Sequence, residues 1–324
     1  MPRGADVGDG SRAGDGSGLP PTVTGAAVTV GTFDGVHRGH RDVLERLVAL
    51  ARREGLASVL VTFAPHPAEV VKPSAVPMLL TPDIEKVEAL AAIGVDYCAV
   101  MPFTRDLAAL DAADFVRRVL VPRFRMRALL VGHDHGFGRD RAGGRDTLVA
   151  LGAADGFPVE PVAPVTLDDG RIVSSSLVRR AVADGDLALA EAALGRPYAI
   201  TGTVQGGDRR GRTIGWPTAN LGTPHPRKLL PPAGVYAAIA QTPGGAYGAM
   251  VNLGTRPTVG DVAHTVEAHL FDFAGDLYGA RLRLDLVAWL RPTVRFDGLA
   301  ALTAQLGRDA EAARAALTRR NGIG

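Results

Sequence analysis

From Ala26 to Gly132 the chain alternates short β-rich runs with helical patterns, and this alternation limits the fold more than any other feature. Strands are expected over 26–31, 57–63, 97–101 and 128–132, with helices over about 39–53, 82–93 and 111–120 between them. Such alternation predicts a parallel sheet with crossover helices, in which ligands bind beyond the carboxyl ends of the strands. A further helical pattern, about 177–193, ends at Leu194-Gly195-Arg196-Pro197, and the texture then changes. Short runs over 198–205, 234–241, 247–253, 264–273 and 281–290, separated by Gly and Pro, predict a small antiparallel barrel. A closing helix over about 297–319 carries Leu299, Leu302, Leu306, Ala310 and Leu317 near helical spacing, with Asp297 as its expected N-cap. The fold class is therefore α/β plus all-β, divided into a leader (1–24), a first domain (25–194) and a second (195–324).

The first strand-to-helix turn, Gly31-Thr32-Phe33-Asp34-Gly35-Val36-His37-Arg38-Gly39-His40, has a phosphate-handling layout. Its glycines let the backbone approach a ligand closely, and the helix starting near Gly39 offers unpaired N–H groups to an anion. His37 and His40, three apart, can face the same phosphate. Two such histidines also suit a surface helix or a metal site, but no Cys, His or carboxylate stands where a zinc site would need its third ligand.

Two more segments follow strands, and a third precedes a helix. Thr62-Phe63-Ala64-Pro65-His66-Pro67 holds His66 between two prolines, as a ligand contact or a packed side chain. Gly132-His133-Asp134-His135-Gly136-Phe137-Gly138-Arg139, then Arg141, suits a phosphate or a planar ring, and equally a surface loop. Ser174-Ser175-Ser176 precedes a helical pattern carrying Arg179, a simple N-cap or a set of polyphosphate contacts. A Walker-type Gly-x-x-x-x-Gly-Lys string is absent, so ATP must be held another way.

In the second half, Gly206 to Asn220 combines glycines with Arg209, Arg210 and Arg212 and ends in Trp216-Pro217-Thr218-Ala219-Asn220. It suits a loop over a nucleotide, with the Thr218 hydroxyl and the Asn220 amide oxygen as hard ligands for Mg²⁺, or an elaborate hairpin loop. Thr265 to Phe273 has period 2: Val266, Ala268 and Leu270 point one way, Glu267, His269 and Phe271 the other. A carboxylate among apolar neighbours suits a general base acting on a hydroxyl; an exposed glutamate on the outer barrel face is the plainer alternative.

Composition narrows the class. A net charge of +2 argues against a dedicated nucleic-acid or membrane-surface protein. The lone Cys98 permits no intramolecular disulfide, and Met1 to Gly18 reads as a disordered leader rather than an export signal, so a cytoplasmic enzyme is expected. Leu229 to Thr255 carries no charge, but Pro231, Pro232, Pro243, Gly244 and Gly245 break it too often for a membrane span.

Taken together, Gly31 to His40, Thr62 to Pro67, Gly132 to Gly138, Ser174 to Arg179, Arg209 to Asn220, Met250 to Thr258 and Val266 to Gly279 resemble, in unbroken order, the bacterial bifunctional riboflavin kinase/FMN adenylyltransferases, or FAD synthetases. The resemblance implies a nucleotidyltransferase-type sheet followed by a riboflavin-kinase-type barrel with a terminal helix. It implies ATP as co-substrate, Mg²⁺ as cofactor, and riboflavin, FMN and FAD as substrates and products. By the same resemblance Glu267 is the base of the kinase step, with Thr218 and Asn220 placing Mg²⁺ and the phosphates, and Arg209, Gly211 and Arg212 contacting the nucleotide. His37, His40 and Arg179 serve adenylyl transfer, with nucleotide contacts from Gly31, Phe33, Asp34, Gly39, Asp134, Ser174, Ser175 and Ser176. His66, Pro67 and Phe137 contact flavin. The chain departs from many relatives at His133, His135 and Gly136, which bears on flavin or adenine packing in the first domain, and Trp216 stands for the usual Phe.

Two rival readings share these motifs: a riboflavin kinase whose first domain is impaired or regulatory, and a flavin-binding carrier that turns nothing over. Substrates are small molecules in the main reading, with no nucleic acid or membrane, and assembly as a homo-oligomer is left open.

Overall fold

The computed structural model describes residues 19–133, 143–206, 215–222, 225–257 and 262–321. The chain divides into two compact units, with changes of unit at 77/78, 82/83 and 174/175. Residues 78–82 belong with the second unit although their neighbours on both sides belong with the first.

The first unit contains β1 (Ala26–Val30), α1 (Arg38–Glu54), β2 (Ala57–Ala64), α2 (Pro67–Val71), α3 (Asp83–Ala91), β3 (Tyr97–Pro102) and α4 (Arg105–Ala109). It continues with α5 (Ala112–Phe115), a π-helical turn (Val116–Leu120), α6 (Val121–Phe124), β4 (Met126–Val131), α7 (Arg145–Asp155) and β5 (Val159–Pro161). Its sheet has the order β3-β2-β1-β4-β5 with every described pair parallel, as expected. β5 escaped the sequence pattern because three residues are too few to show a period. All five residues of β1 are buried, which is why it reads as an unbroken apolar run: a parallel strand is covered on both faces. Val28, Val59 and Leu129 pack on one side with Phe115 and Phe124, while Ala27, Leu60 and Leu130 pack on the other with Leu44 and Leu47 of α1.

The second unit begins with α8 (Ser175–Ala183) and α9 (Leu187–Leu194), where one helix over 177–193 was expected. Asp186 starts α9 anew, its carboxylate accepting from the Leu189 N–H at 2.9 Å. Both helices group with the barrel in the compact unit that takes in residues 175–324. The reason is packing: α9 lies against the barrel and its Glu191 pairs with Arg320 of the last helix at 2.6 and 2.7 Å. The barrel strands are β6 (Tyr198–Gln205), β7 (Ala219–Leu221), β8 (Gly234–Thr242), β9 (Gly245–Pro257), β10 (Val262–Leu270) and β11 (Arg281–Arg291), closed in the order β10-β7-β6-β11-β8-β9. The short β7 was not expected; without it the circle would not close. The last helix, α10 (Leu299–Asn321), starts two residues after Asp297, with Gly298 between them. Ala310, Ala313 and Ala316 of α10 pack on Ala237, Met250 and Phe271 on the outside of the barrel.

Lys228 ties the 78–82 segment into this unit. Its buried ammonium donates to the carbonyls of Leu80 and Ala199, both at 2.7 Å, and lies 4.3 Å from the Tyr198 ring centroid. The backbone adds Leu79 N–H to Arg227 O (2.6 Å) and Leu229 N–H to Leu79 O (2.8 Å). Lys228→Met keeps the apolar stem but removes the donor to both carbonyls, and we expect it to destabilise the second unit by about 2–4 kcal/mol. Urea unfolding measures this; an unchanged midpoint would show that the carbonyls find other donors.

Candidate active sites

In the first unit the decisive stretch is the turn from β1 to α1. Gly31 N–H still donates to Val61 O (3.0 Å) as the strand ends. Phe33 and Val36 then sit at φ 47° and 41°, left-handed conformations that are uncommon for any side chain and costly for a β-branched one. Burial holds the turn in place: Phe33 and Val36 pack into the apolar cluster above the sheet, and Asp34 is wholly buried. Two glycines are needed for close approach. A Cβ at Gly31 would stand 2.8 Å from the Phe33 ring, and one at Gly39 would stand 3.2 Å from the His37 ring and 3.7 Å from the Val173 carbonyl.

His37 and His40 come together as expected, with ring centroids 3.6 Å apart and planes at 16°. His37 is the N-cap of α1, its Nδ1 accepting from the His40 N–H at 3.2 Å. An accepting Nδ1 carries no proton, so the neutral ring carries its hydrogen on Nε2. Phe33 backs His40 at 4.8 Å. Ser174 follows Val173, whose carbonyl borders Gly39, so within this unit the serine run begins beside the helix start. Ser175, Ser176 and Arg179 fall in α8 of the second unit, where Arg179 Nε donates to Met78 O at 2.9 Å.

His66 has a structural task. It caps α2, its Nδ1 accepting from Ala68 N–H (3.1 Å) while Glu69 accepts from its backbone N–H (2.7 Å), with Pro67 as the first helical residue. Sequence reasoning missed Lys86 of α3, whose ammonium donates to the Thr32 carbonyl at 2.9 Å inside the turn. The available signal was its rarity as one of three lysines, although a lone lysine on a helix usually faces solvent.

In the second unit the cross-strand register assembles the other site. Glu267 of β10 stands directly opposite Asn252 of β9 and Asn220 of β7, and Asn220 stands opposite Gln205 of β6. Directly opposed residues share a face. The alternate set, Leu253, Val266, Leu221 and Val204, fills the barrel interior, which puts the amide and carboxylate row outside. Glu267, Asn220 and Asn252 are half-buried there. The apolar surround expected for Glu267 is thus corrected in the plane of the sheet, where its two neighbours are amides. Below it on the same face, His269 and Phe271 lead to the ground covered by α10. His269 Nδ1 meets the Pro217 carbonyl at 2.7 Å and its ring packs edge-on to Trp216 at 4.9 Å. Thr218, the next residue, is exposed. Asn252 and Gln205 were missed because each lies in an otherwise ordinary strand and only register reveals the row.

Asp134, Phe137, Arg209, Gly211 and Arg212 lie outside the described residues, as does the leader segment 1–18. Among the described residues no group of three or more His, Cys, Asp or Glu could hold a metal ion by itself. The hydroxyl of Thr218 and amide oxygen of Asn220 beside a carboxylate position are hard oxygen donors, few in number, which suits Mg²⁺ held jointly with substrate phosphates.

Family comparison assigns each half of the chain. Residues 19–176 match the FAD synthetase family and residues 194–317 match the riboflavin kinase family. The bifunctional riboflavin kinase/FMN adenylyltransferase of Escherichia coli K12 is 41% identical over 295 residues, covering 90% of this chain and 92% of its own. The chain belongs to the bifunctional riboflavin kinase/FMN adenylyltransferase family. A second member, from Pseudomonas fluorescens, is 42% identical over 92% of this enzyme and 94% of its own length. A solved structure described as a macrolide-efflux protein from Streptococcus pneumoniae is 30% identical and aligns over 90% of this enzyme and 94% of that chain, with a TM-score of 0.80. Among the described residues of this enzyme, no helix is long and apolar enough to cross a membrane.

Proposed function

We propose that the enzyme converts riboflavin to FMN with ATP at the outer barrel face and then joins AMP from a second ATP to FMN, releasing pyrophosphate, at the β1–α1 turn. The observation that carries the reading is Glu267 set in register between Asn220 and Asn252. The nucleophile of the first reaction is the terminal hydroxyl of the ribityl chain, a neutral alcohol. Glu267 takes its proton as the oxygen bonds to the γ-phosphorus and ADP leaves. Thr218 and Asn220 hold the phosphates, together with Mg²⁺, which when bound neutralises phosphate charge. Arg209, Gly211 and Arg212 precede them on the same loop sequence and contact the nucleotide.

The second reaction has an anionic nucleophile, the FMN phosphate, and needs no base. What it needs is compensation of charge on the α-phosphate and the departing pyrophosphate. His37 Nε2–H and the His40 imidazole offer this from the helix start, with Gly31, Phe33, Asp34 and Gly39 shaping the turn. The hydroxyls of Ser174, Ser175 and Ser176, the Arg179 guanidinium and Asp134 complete the nucleotide contacts. His66, Pro67 and Phe137 serve the flavin, His66 through the ring edge not used in capping. The adenylyl-transfer residues fall within 25–194 and the kinase residues within 195–324. The enzyme works in the cytoplasm on small molecules alone, without nucleic acid or membrane. One chain supplies both constellations, so homo-oligomer formation is compatible with activity without being required for it.

Incubating the purified chain with riboflavin, ATP and Mg²⁺ and separating the products tests the reading. FMN followed by FAD is expected. FMN accumulating without FAD would restrict the enzyme to its kinase half, and ATP consumption indifferent to riboflavin would leave only a flavin carrier.

A further inference from the structure

We infer that His269 is a positioning residue of the kinase reaction, holding the Trp216–Asn220 segment against the face that carries Glu267. The inference rests on the kinase reading above and adds to it a residue that touches neither substrate. Three observations support it. The Pro217 carbonyl can only accept, so the 2.7 Å contact fixes the His269 hydrogen on Nδ1 and makes the ring a donor to this loop. The bond is also structurally placed: it grips the residue directly before Thr218, and two residues further on Asn220 enters β7 opposite Glu267. Finally, the ring is itself held, edge-on to Trp216 at 4.9 Å and to Phe271 at 5.8 Å, with Phe271 seated under α10.

The geometry explains why a loop carrying hard oxygen donors would keep its position. Thr218 is exposed, and β7 contributes only three residues of ladder, too little to fix the segment before it. Proline offers no N–H to tie Pro217 down from its other side. The His269 bond supplies the missing restraint, two residues along the same strand from the base, so loop and carboxylate are referred to one rigid element. Nδ1 remains a donor whether or not Nε2 gains a proton, so the restraint does not depend on the charge of the ring.

Three variants separate this role from ring packing. Asparagine places an amide N–H near the position of Nδ1, glutamine places one near Nε2, and alanine places none. Calorimetric binding of Mg²⁺·ADP and steady-state riboflavin phosphorylation are measured for each, with FMN adenylylation by the same preparations as a check on folding. In His269→Ala we expect Mg²⁺·ADP affinity to fall about tenfold and phosphorylation ten- to a hundredfold, with adenylylation retained. His269→Asn should recover most of both losses and His269→Gln little. Native-like ADP binding in His269→Ala overturns the inference, and so do equal defects in the asparagine and glutamine variants, which would assign the effect to the aromatic contacts. Glu267→Gln run in parallel keeps the two levels apart. If the native chain does not phosphorylate riboflavin, the kinase reading itself fails, and if Glu267→Gln keeps more than about a tenth of the native rate, the base role of Glu267 fails. If that variant is inactive while His269→Ala binds normally, only the positioning role is lost.

Discussion

Glu267→Gln is expected to lower riboflavin phosphorylation by about 10²- to 10⁴-fold, the range over which a positioned general base contributes. The substitution is nearly isosteric and keeps hydrogen-bonding capacity between Asn220 and Asn252, so the strand pairing that surrounds it should survive. What it removes is the ability to take a proton from an alcohol. The loss should therefore appear in turnover while riboflavin and ADP still bind. FMN supplied directly should be adenylylated at the native rate, because Glu267 and the β1–α1 turn belong to different units. A variant retaining more than about a tenth of the native kinase rate would mean that the hydroxyl loses its proton by another route.

The second large effect is in the opposite direction along the chain. His40→Ala should reduce FAD formation from FMN by roughly 10²-fold or more, the loss typical of one transition-state donor. Alanine is a strong helix former, and the cap of α1 uses the backbone N–H of residue 40 rather than its ring. The helix start therefore remains intact, and the deficit reports chemistry. Riboflavin phosphorylation should stay near native. Matching losses in both reactions would argue that the sites are not independent. These readings are made by following each half-reaction separately, with FMN or riboflavin as the only flavin added.

Much of the architecture could be read from periodicity, because β1 to β4 and the longer barrel strands are each long enough to show their pattern. What could not be read lies in short or composite pieces. β5 and β7 have three residues each, and the helix expected over 111–120 is in fact a short α-helix running into a π-helical turn, with a second short helix after it. The same distinction holds for the sites. His37 and His40 were legible because they are neighbours in sequence, and their stacking follows from one helical turn. Glu267 was legible as a polar residue in a period-2 strand and Asn220 as a hard oxygen donor, but their alignment with Asn252 was not. Asn252 and Asn220 meet it only through antiparallel register, which local sequence does not encode. His66 illustrates the converse: its two flanking prolines drew attention to it as a ligand contact or a packed side chain, while its capping box with Glu69, a local hydrogen-bond pattern, went unread. Lys86 had no local signature at all, since its partner is the carbonyl of Thr32, 54 residues earlier.

The Met78–Pro82 excursion has a temporal consequence. Leu79, Leu80 and Thr81 are buried and belong with the second unit, and the ammonium that caps the Leu80 carbonyl belongs to a lysine 148 residues downstream. On a ribosome adding about 5–20 residues each second, those leucines wait roughly seven to thirty seconds for their lysine to be made. The nascent polypeptide must carry a greasy loose end through that interval, which makes this stretch a natural place for a chaperone to hold on.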